Sequence, residues 1–243
     1  MKWDIVYFPQ TFNPTVAYFK LNTYSAITFK SAIGRAKSLL TFVRVNYFAS
    51  ASEEHAMRIL VVFDHPRRDS FCGAILDSFT RGLTEAGHTF EVADLYREGF
   101  DPRMSIKDEP DWSNPNKTYS NEVLREQKRV NSHDGIAVIF PVWWWSLPAM
   151  SKGWIDRVWN NGWAYGAQKL THKKAAFLAV GSGTADGYAK REYDRAMRIS
   201  LQQGILNYCG IEGAKLEFLL ESLGSEEVRN KLIIQARNLG YGF

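Results

Sequence analysis

From Arg58 onward, short apolar runs alternate with segments whose apolar residues recur every three or four positions. Arg58–Phe63 is apolar after its first residue and rich in β-branched side chains, the pattern of a strand buried on both faces. Residues 64–70 are polar and hold a proline. Phe71 to Ala86 then sets Phe71, Ile75, Phe79 and Leu83 on one helical face and stops at Gly87. His88 to Leu95 alternates as a second strand. Residues 97–117, with Pro102, Pro110 and Pro115, form a loop long enough to expect a function of its own. A polar helix over Tyr119–Ser132 leads to a third buried strand, Gly135–Phe140.

Pro141 to Trp145 reads as a loop. Ser146 is expected to cap a helix reaching about Asn160, with Pro148 in its first turn. Lys174–Val180 is a fourth strand, followed by Gly181-Ser-Gly-Thr184. A helix over 190–209, a fifth strand over 211–220 and a last helix over 225–238 complete the chain. Five strands, each followed by a helix, predict an α/β fold with a doubly wound parallel sheet and helices on both faces. Ligands of such sheets bind beyond the carboxyl ends of the strands, so loops 64–71, 96–117, 141–146 and 181–188 are the places for chemistry.

Composition changes this picture little. The 243 residues are 45% hydrophobic, and no uncharged apolar run approaches the roughly 18 residues that would span a bilayer. Two cysteines, Cys72 and Cys209, cannot build a disulfide framework or a four-cysteine zinc site, so free thiols and a reducing, cytoplasmic setting are expected. The five histidines lack zinc-ligand spacing, and no metal is expected.

Charge changes it more. The net charge of +4 is concentrated upstream of Met57: residues 1–56 carry six basic and three acidic side chains, leaving 24 and 23 for residues 57–243. Ile5 to Ser52 contains no carboxylate. The chain therefore reads as an N-terminal extension, 1–56, and a complete domain, 57–243. The plain reading of the extension is a tail outside the functional chain, which would start at Met57. An organellar presequence and a membrane-surface helix are the alternatives. A near-neutral domain without an aromatic and basic stripe is not expected to bind nucleic acid.

The loops carry the candidate chemistry. His65-Pro-Arg-Arg-Asp-Ser70 opens a helix, where backbone N–H groups, a hydroxyl and cations suit a phosphate or an ordinary capped turn. It is neither a GxGxxG fingerprint nor a P-loop. Cys72 follows this basic loop, which would favour a thiolate; a buried, inert thiol is the plainer expectation. Trp143, Trp144 and Trp145 are consecutive, and with Trp154, Trp159 and Trp163 make six tryptophans within 21 residues. Trp154 and Trp159 fall on a helical apolar face. The first three lie on the ligand side, for stacking on a planar ring or packing against another subunit. The glycines of 181–184 let backbone amides approach a ligand, although a tight connection explains them equally.

Taken together, these residues resemble the flavodoxin-like NAD(P)H:quinone oxidoreductases, the DT-diaphorase family and its bacterial relatives. The resemblance rests on His65-Pro with Ser70-Phe71, Asp94-Leu-Tyr with Phe100-Asp-Pro102, Phe140-Pro-Val-Trp-Trp-Trp with Leu147-Pro-Ala, Lys152-Gly-Trp-Ile-Asp-Arg-Val158, Trp163-Ala-Tyr-Gly166 and Gln203-Gly-Ile-Leu-Asn-Tyr-Cys-Gly210. They occur in family order over about three quarters of the chain. It implies a strand order of 2-1-3-4-5, a flavin (FAD, with FMN as the alternative), NAD(P)H as co-substrate, a quinone-like acceptor and a homodimer. His65, Ser70, Phe71 and Cys72 would surround the diphosphate. Pro141, Val142, Trp143 and Trp144, with Gly181, Ser182, Gly183 and Thr184, would hold the ring. Trp145 and Tyr165 would wall the substrate pocket, and Tyr188 matches a family tyrosine near the flavin. The histidine that mammalian members pair with that tyrosine falls near Arg191, and Ala167 stands where a second tyrosine is found. Two alternatives follow from the same resemblance: an FMN-dependent azo- or nitroreductase, and a regulatory subunit associated with a membrane potassium-efflux system.

Overall fold

The computed structural model describes residues 56–114 and 116–243, so the expectations for the N-terminal extension lie almost wholly outside the described residues. Five strands, β1 (Arg58–Phe63), β2 (Thr89–Asp94), β3 (Gly135–Pro141), β4 (Lys174–Val180) and β5 (Ala214–Leu219), form one parallel sheet in the order β2-β1-β3-β4-β5. This is the doubly wound sheet the alternation predicts. β1, β3 and β4, in the middle, are apolar along nearly their whole length because both of their faces are covered.

One face packs α1 (Phe71–Glu85) and α6 (Glu226–Tyr241) through Ile59, Val61, Phe63, Phe79, Leu83 and Ala236. The other packs α2 (Asn121–Asn131), α3 (Ala149–Val158) and the segment after β4 through Leu60, Val62, Phe140, Trp154 and Phe177. Among the described residues no helix is long and apolar enough to cross a membrane.

Several boundaries differ from expectation: β5 starts at Ala214 rather than 211, α6 runs on to Tyr241, and three differences bear on the site. Ser146 does not cap α3; the cap position is Pro148, which has no side-chain acceptor, and Ser146 instead closes a turn. The helix expected over 190–209 is broken into α4 (Ala185–Lys190) and α5 (Tyr193–Met197), with Glu192 in a left-handed conformation between them, and α5 continues as π-helical turns over Arg198–Asn207. The polar helix begins at Asn121 rather than Tyr119, because the Ser120 hydroxyl accepts from Val123 N–H and fixes the start.

Candidate functional site

The loop after β1 folds as its composition predicts. Ser70 caps α1, its Oγ accepting from Gly73 N at 3.3 Å, which leaves the Phe71 and Cys72 amides at an open helix start. His65 Nδ1 accepts from Arg67 N at 3.0 Å, and its ring lies 6.4 Å from that of Trp143. The first and third candidate loops therefore meet. Cys72 is buried, and burial, reinforced by the Asp64 carboxylate, pushes its thiol up to about 12. The basic loop does not activate it.

The third loop is a tight turn. Val142 N donates to Val180 O at 2.8 Å, and Ser146 N to Trp143 O at 3.2 Å. The two central residues, Trp144 and Trp145, have φ of 51° and 53°. Paired left-handed residues suit glycine and asparagine; two tryptophans there store strain of about 1–3 kcal/mol each. Trp144 is 88% exposed, while Trp143 and Trp145 are about half as exposed, at 43% and 42%. The turn thus spends backbone energy to hold three indoles at the surface.

Trp145 stacks on Tyr193, with ring centroids 4.2 Å apart, and Tyr193 meets Tyr188 edge-on at 6.0 Å. Tyr188 is buried against Phe218, and burial raises its hydroxyl pKa. Its ring also covers the fourth loop: a Cβ added to Gly181 or Gly183 would come within 2.9 Å of it. Gly181 N is already committed to Leu219 O, so the amides that remain without an acceptor among the described residues are those of Ser182, Gly183 and Thr184. The Thr184 hydroxyl caps α4. Trp145, Tyr188 and 181–184 therefore make one continuous patch beside Pro141 and Val142.

Tyr165 is placed elsewhere. It packs between Trp112 (5.4 Å) and Tyr208 (5.9 Å) and lines a cleft of about 350 Å³ with Met104, Ile155 and Trp159. Within one chain its ring contacts are these two, not Trp145.

The long loop is tied down from below. Arg157 of α3, on its buried face, pairs with Asp108 at 2.8 Å and with Glu122 at 2.7 Å, bonds the Asp101 carbonyl, and sits over the Phe100 ring. Asp108 also accepts from Ser120 N at 2.8 Å. Burial opposes its charge, but the Arg157 and serine hydrogen bonds win and hold its pKa below the usual carboxylate range. The loop crosses α3 at Gly153, where a Cβ would lie 2.2 Å from Pro102 O.

Residues 57–238 match the family model described as the flavodoxin-like fold. The chain belongs to the flavodoxin-like fold family. Within it, the chain is similar to the uncharacterized NAD(P)H oxidoreductase YcaK of Escherichia coli (strain K12), at 40% identity over 167 residues, which span 68% of this chain and 85% of that protein. It is 30% identical over 202 residues to the Homo sapiens ribosyldihydronicotinamide dehydrogenase (quinone), spanning 72% and 87%. Among solved structures, the NAD(P)H:quinone oxidoreductase from Methanothermobacter marburgensis superimposes with a TM-score of 0.73 at 34% identity, over 77% of this chain and 96% of that one. These relatives set this flavodoxin-like chain among the NAD(P)H oxidoreductases and quinone dehydrogenases, an enzyme family.

Sequence reasoning missed three residues of this flavodoxin-like site. Tyr193 joins Trp145 to Tyr188, but a tyrosine near the start of a helix carries no distinguishing signal. Arg157 was legible in principle as a cation among Trp154, Ile155 and Val158. Asp64 is fully buried at the end of β1, a charged residue directly after five apolar ones.

Proposed function

We propose that this chain is a flavin-dependent NAD(P)H:acceptor oxidoreductase with a quinone-like acceptor. The observation that carries the reading is the strained Trp143–Ser146 turn, which presents flat apolar rings beside the amides of Ser182, Gly183 and Thr184, which have no acceptor among the described residues. A planar heteroaromatic ring with polar edges needs both kinds of surface. The open start of α1 below His65 and Ser70 suits a phosphate or diphosphate, through amides that Ser70 does not consume. The residues present thus fit a flavin, FAD or FMN, and the relatives named above add support.

On this reading His65, Ser70, Phe71 and Cys72 hold the phosphate end; Pro141, Val142, Trp143, Trp144 and Gly181–Thr184 hold the ring. When bound, flavin supplies a ring that takes a hydride from NAD(P)H and returns it to the acceptor in a two-electron ping-pong cycle. The chain's own part is positioning: Trp145, braced by Tyr193, forms an apolar wall that orients a flat substrate and excludes water. The amides of Ser182–Thr184 would offer donors to the polar edge of the ring, and the Tyr188 hydroxyl, whose pKa burial raises further, is a neutral donor beside Gly181. Tyr165 lies with Trp112 and Tyr208, so a role in the same pocket as Trp145 would require a second copy of the chain, consistent with a homodimer. An ancillary role beside a potassium-efflux system draws no support from this geometry.

Purified protein should be yellow or become so with FAD or FMN, and flavin released by heat should identify which. A colourless protein that quenches neither flavin's fluorescence would defeat the proposal. Trp145→Ala should lower kcat/KM for NAD(P)H and for a quinone about tenfold, ~1.4 kcal/mol of transition-state stabilisation, with flavin retention little changed. Unchanged kinetics for both substrates would remove Trp145 from the site.

A further inference from the structure

Asp64 stands where β1 ends, and it clasps the β3–α3 connection at both of its ends. Its backbone N–H donates to Ile139 O in β3 at 3.0 Å. Its carboxylate Oδ2 accepts from Ser151 N, in the first turn of α3, at 2.7 Å. Residues 140–150, which hold the whole tryptophan turn, lie between those two points. α3 has no cap of its own, because Pro148 at the cap position offers no side-chain acceptor. An acceptor 87 residues upstream supplies what the local sequence lacks.

The clasp is sealed. Asp64 and Ser151 are both fully buried, and Asp64 Oδ1 has no hydrogen-bond partner among the described residues. A carboxylate is an expensive choice for such a position, since burial disfavours its charge. Burial does raise its pKa, with the Ser151 hydrogen bonds and the nearby His65 opposing the rise. Cys72 at the start of α1 and Tyr96 after β2 also feel its charge. The residue therefore sits among the starts of α1 and α3 and the end of β2.

We propose that Asp64 is a positioning residue that staples the base of the tryptophan turn to the loop after β1, so that the phosphate side and the ring side of the site are held in one geometry. The turn needs such a hold. Two consecutive left-handed tryptophans persist only where the surroundings over-determine them, and among the described residues the one hydrogen bond inside the turn is Ser146 to Trp143. The part of this inference that concerns flavin rests on the cofactor reading above; the part that concerns the turn does not.

The test compares the full-length chain with Asp64→Ala, Asp64→Asn and Asp64→Glu. Asparagine keeps an oxygen acceptor at the same reach, alanine removes it, and glutamate keeps the charge but displaces the oxygen by one methylene. Near-ultraviolet circular dichroism reads the Trp144–Trp145–Tyr193 cluster without any ligand. Titration with FMN and with FAD reads the site by flavin fluorescence quenching at low temperature. Asp64→Ala should lose the part of the near-ultraviolet signal that comes from the exposed turn, the core pair Trp154 and Trp159 keeping theirs and the far-ultraviolet spectrum unchanged, and should bind flavin 10- to 100-fold more weakly. Asp64→Asn should stay within about threefold of the parent in affinity. If Asp64→Ala does not fold, Asp64→Glu is expected to show the same losses.

A merely structural aspartate would lower the melting temperature while leaving flavin affinity and the aromatic signal of the folded protein unchanged. That result would overturn the proposal, as would an asparagine variant as impaired as the alanine one. If the parent itself binds neither flavin, the cofactor reading fails, and the near-ultraviolet comparison alone decides whether Asp64 holds the turn.

Discussion

The connection from β2 to α2 and the connection from β3 to α3 leave the same edge of the sheet but are held by different forces. The first is long, and its hold is ionic and buried: Arg157 reaches up from α3 to Asp108, Glu122 and the Asp101 carbonyl. The second is short, and its hold is a backbone turn with two residues in a disfavoured conformation and three indoles left partly or wholly in solvent. In the first, both terminal nitrogens of Arg157 are paired within the chain, and only its Nε is left without a partner among the described residues. In the second, apolar area stays uncovered and conformational energy stays stored, which is what a surface awaiting a ligand looks like. The longer connection is thus the one closed by its own contacts, and the shorter one, residues 142–148, keeps the uncovered apolar surface.

Substitutions can separate the two holds, and the largest effect is expected in the long loop. Arg157→Ala would strand Asp108 in the interior and should lower unfolding free energy by about 3 kcal/mol, measured by urea denaturation. Gly153→Ala would press a methyl group into the Pro102 carbonyl and should cost about 2 kcal/mol by the same measurement. The turn should respond with the opposite sign. Trp144→Gly relieves a left-handed tryptophan that is almost fully exposed, so thermal stability should rise by about 1 kcal/mol while flavin affinity falls.

The smallest effect is one of pH. Asp64 has a folded-state pKa above its unfolded value near 3.8, so its burial destabilises the protein at neutral pH, and that penalty is relieved as pH falls through the raised pKa. Asp108 has a folded-state pKa below 3.8; its stabilisation is present above that value and is lost as pH falls through the lowered one. Asp64→Asn should therefore flatten the stability profile above pH 3.8 and leave the acid limb in place. A parallel shift of both limbs would contradict the assignment.

Much of this was legible beforehand because the central strands announce themselves. Three apolar runs flanked by loops and helical spacing leave few topologies other than a doubly wound sheet, and the observed order β2-β1-β3-β4-β5 is the one the family resemblance implies. Ser70 was legible as a cap because capping is a local matter between a hydroxyl and the amide three residues on. Ser146 misled for a related reason: it has the right chemistry for a cap, but the turn beginning at Trp143 takes up its backbone, and α3 starts later. The partners that were not legible are distant in sequence. Asp64 meets Ser151, Arg157 meets Asp108, and Trp145 meets Tyr193 only through the tertiary fold. Tyr165 and Trp145 were joined by the resemblance alone; within one chain Trp145 meets Tyr193, and Tyr165 meets Trp112 and Tyr208.

The bonds of Asp108 to Ser120 N and to Arg157 have an evolutionary consequence. They pinch the chain together at residues 108 and 120, a closed neck for the residues between. The entropy of such an excursion grows only slowly with its length, by about 0.6 kcal/mol per doubling. Insertions beyond the neck would leave the sheet and the tryptophan turn undisturbed, and Trp112, 72% exposed, already stands there. Descendants of this chain can lengthen that rim at little entropic cost, whereas replacing Trp112 or shifting Asp111 gives up their contacts to Tyr165 and Asn161.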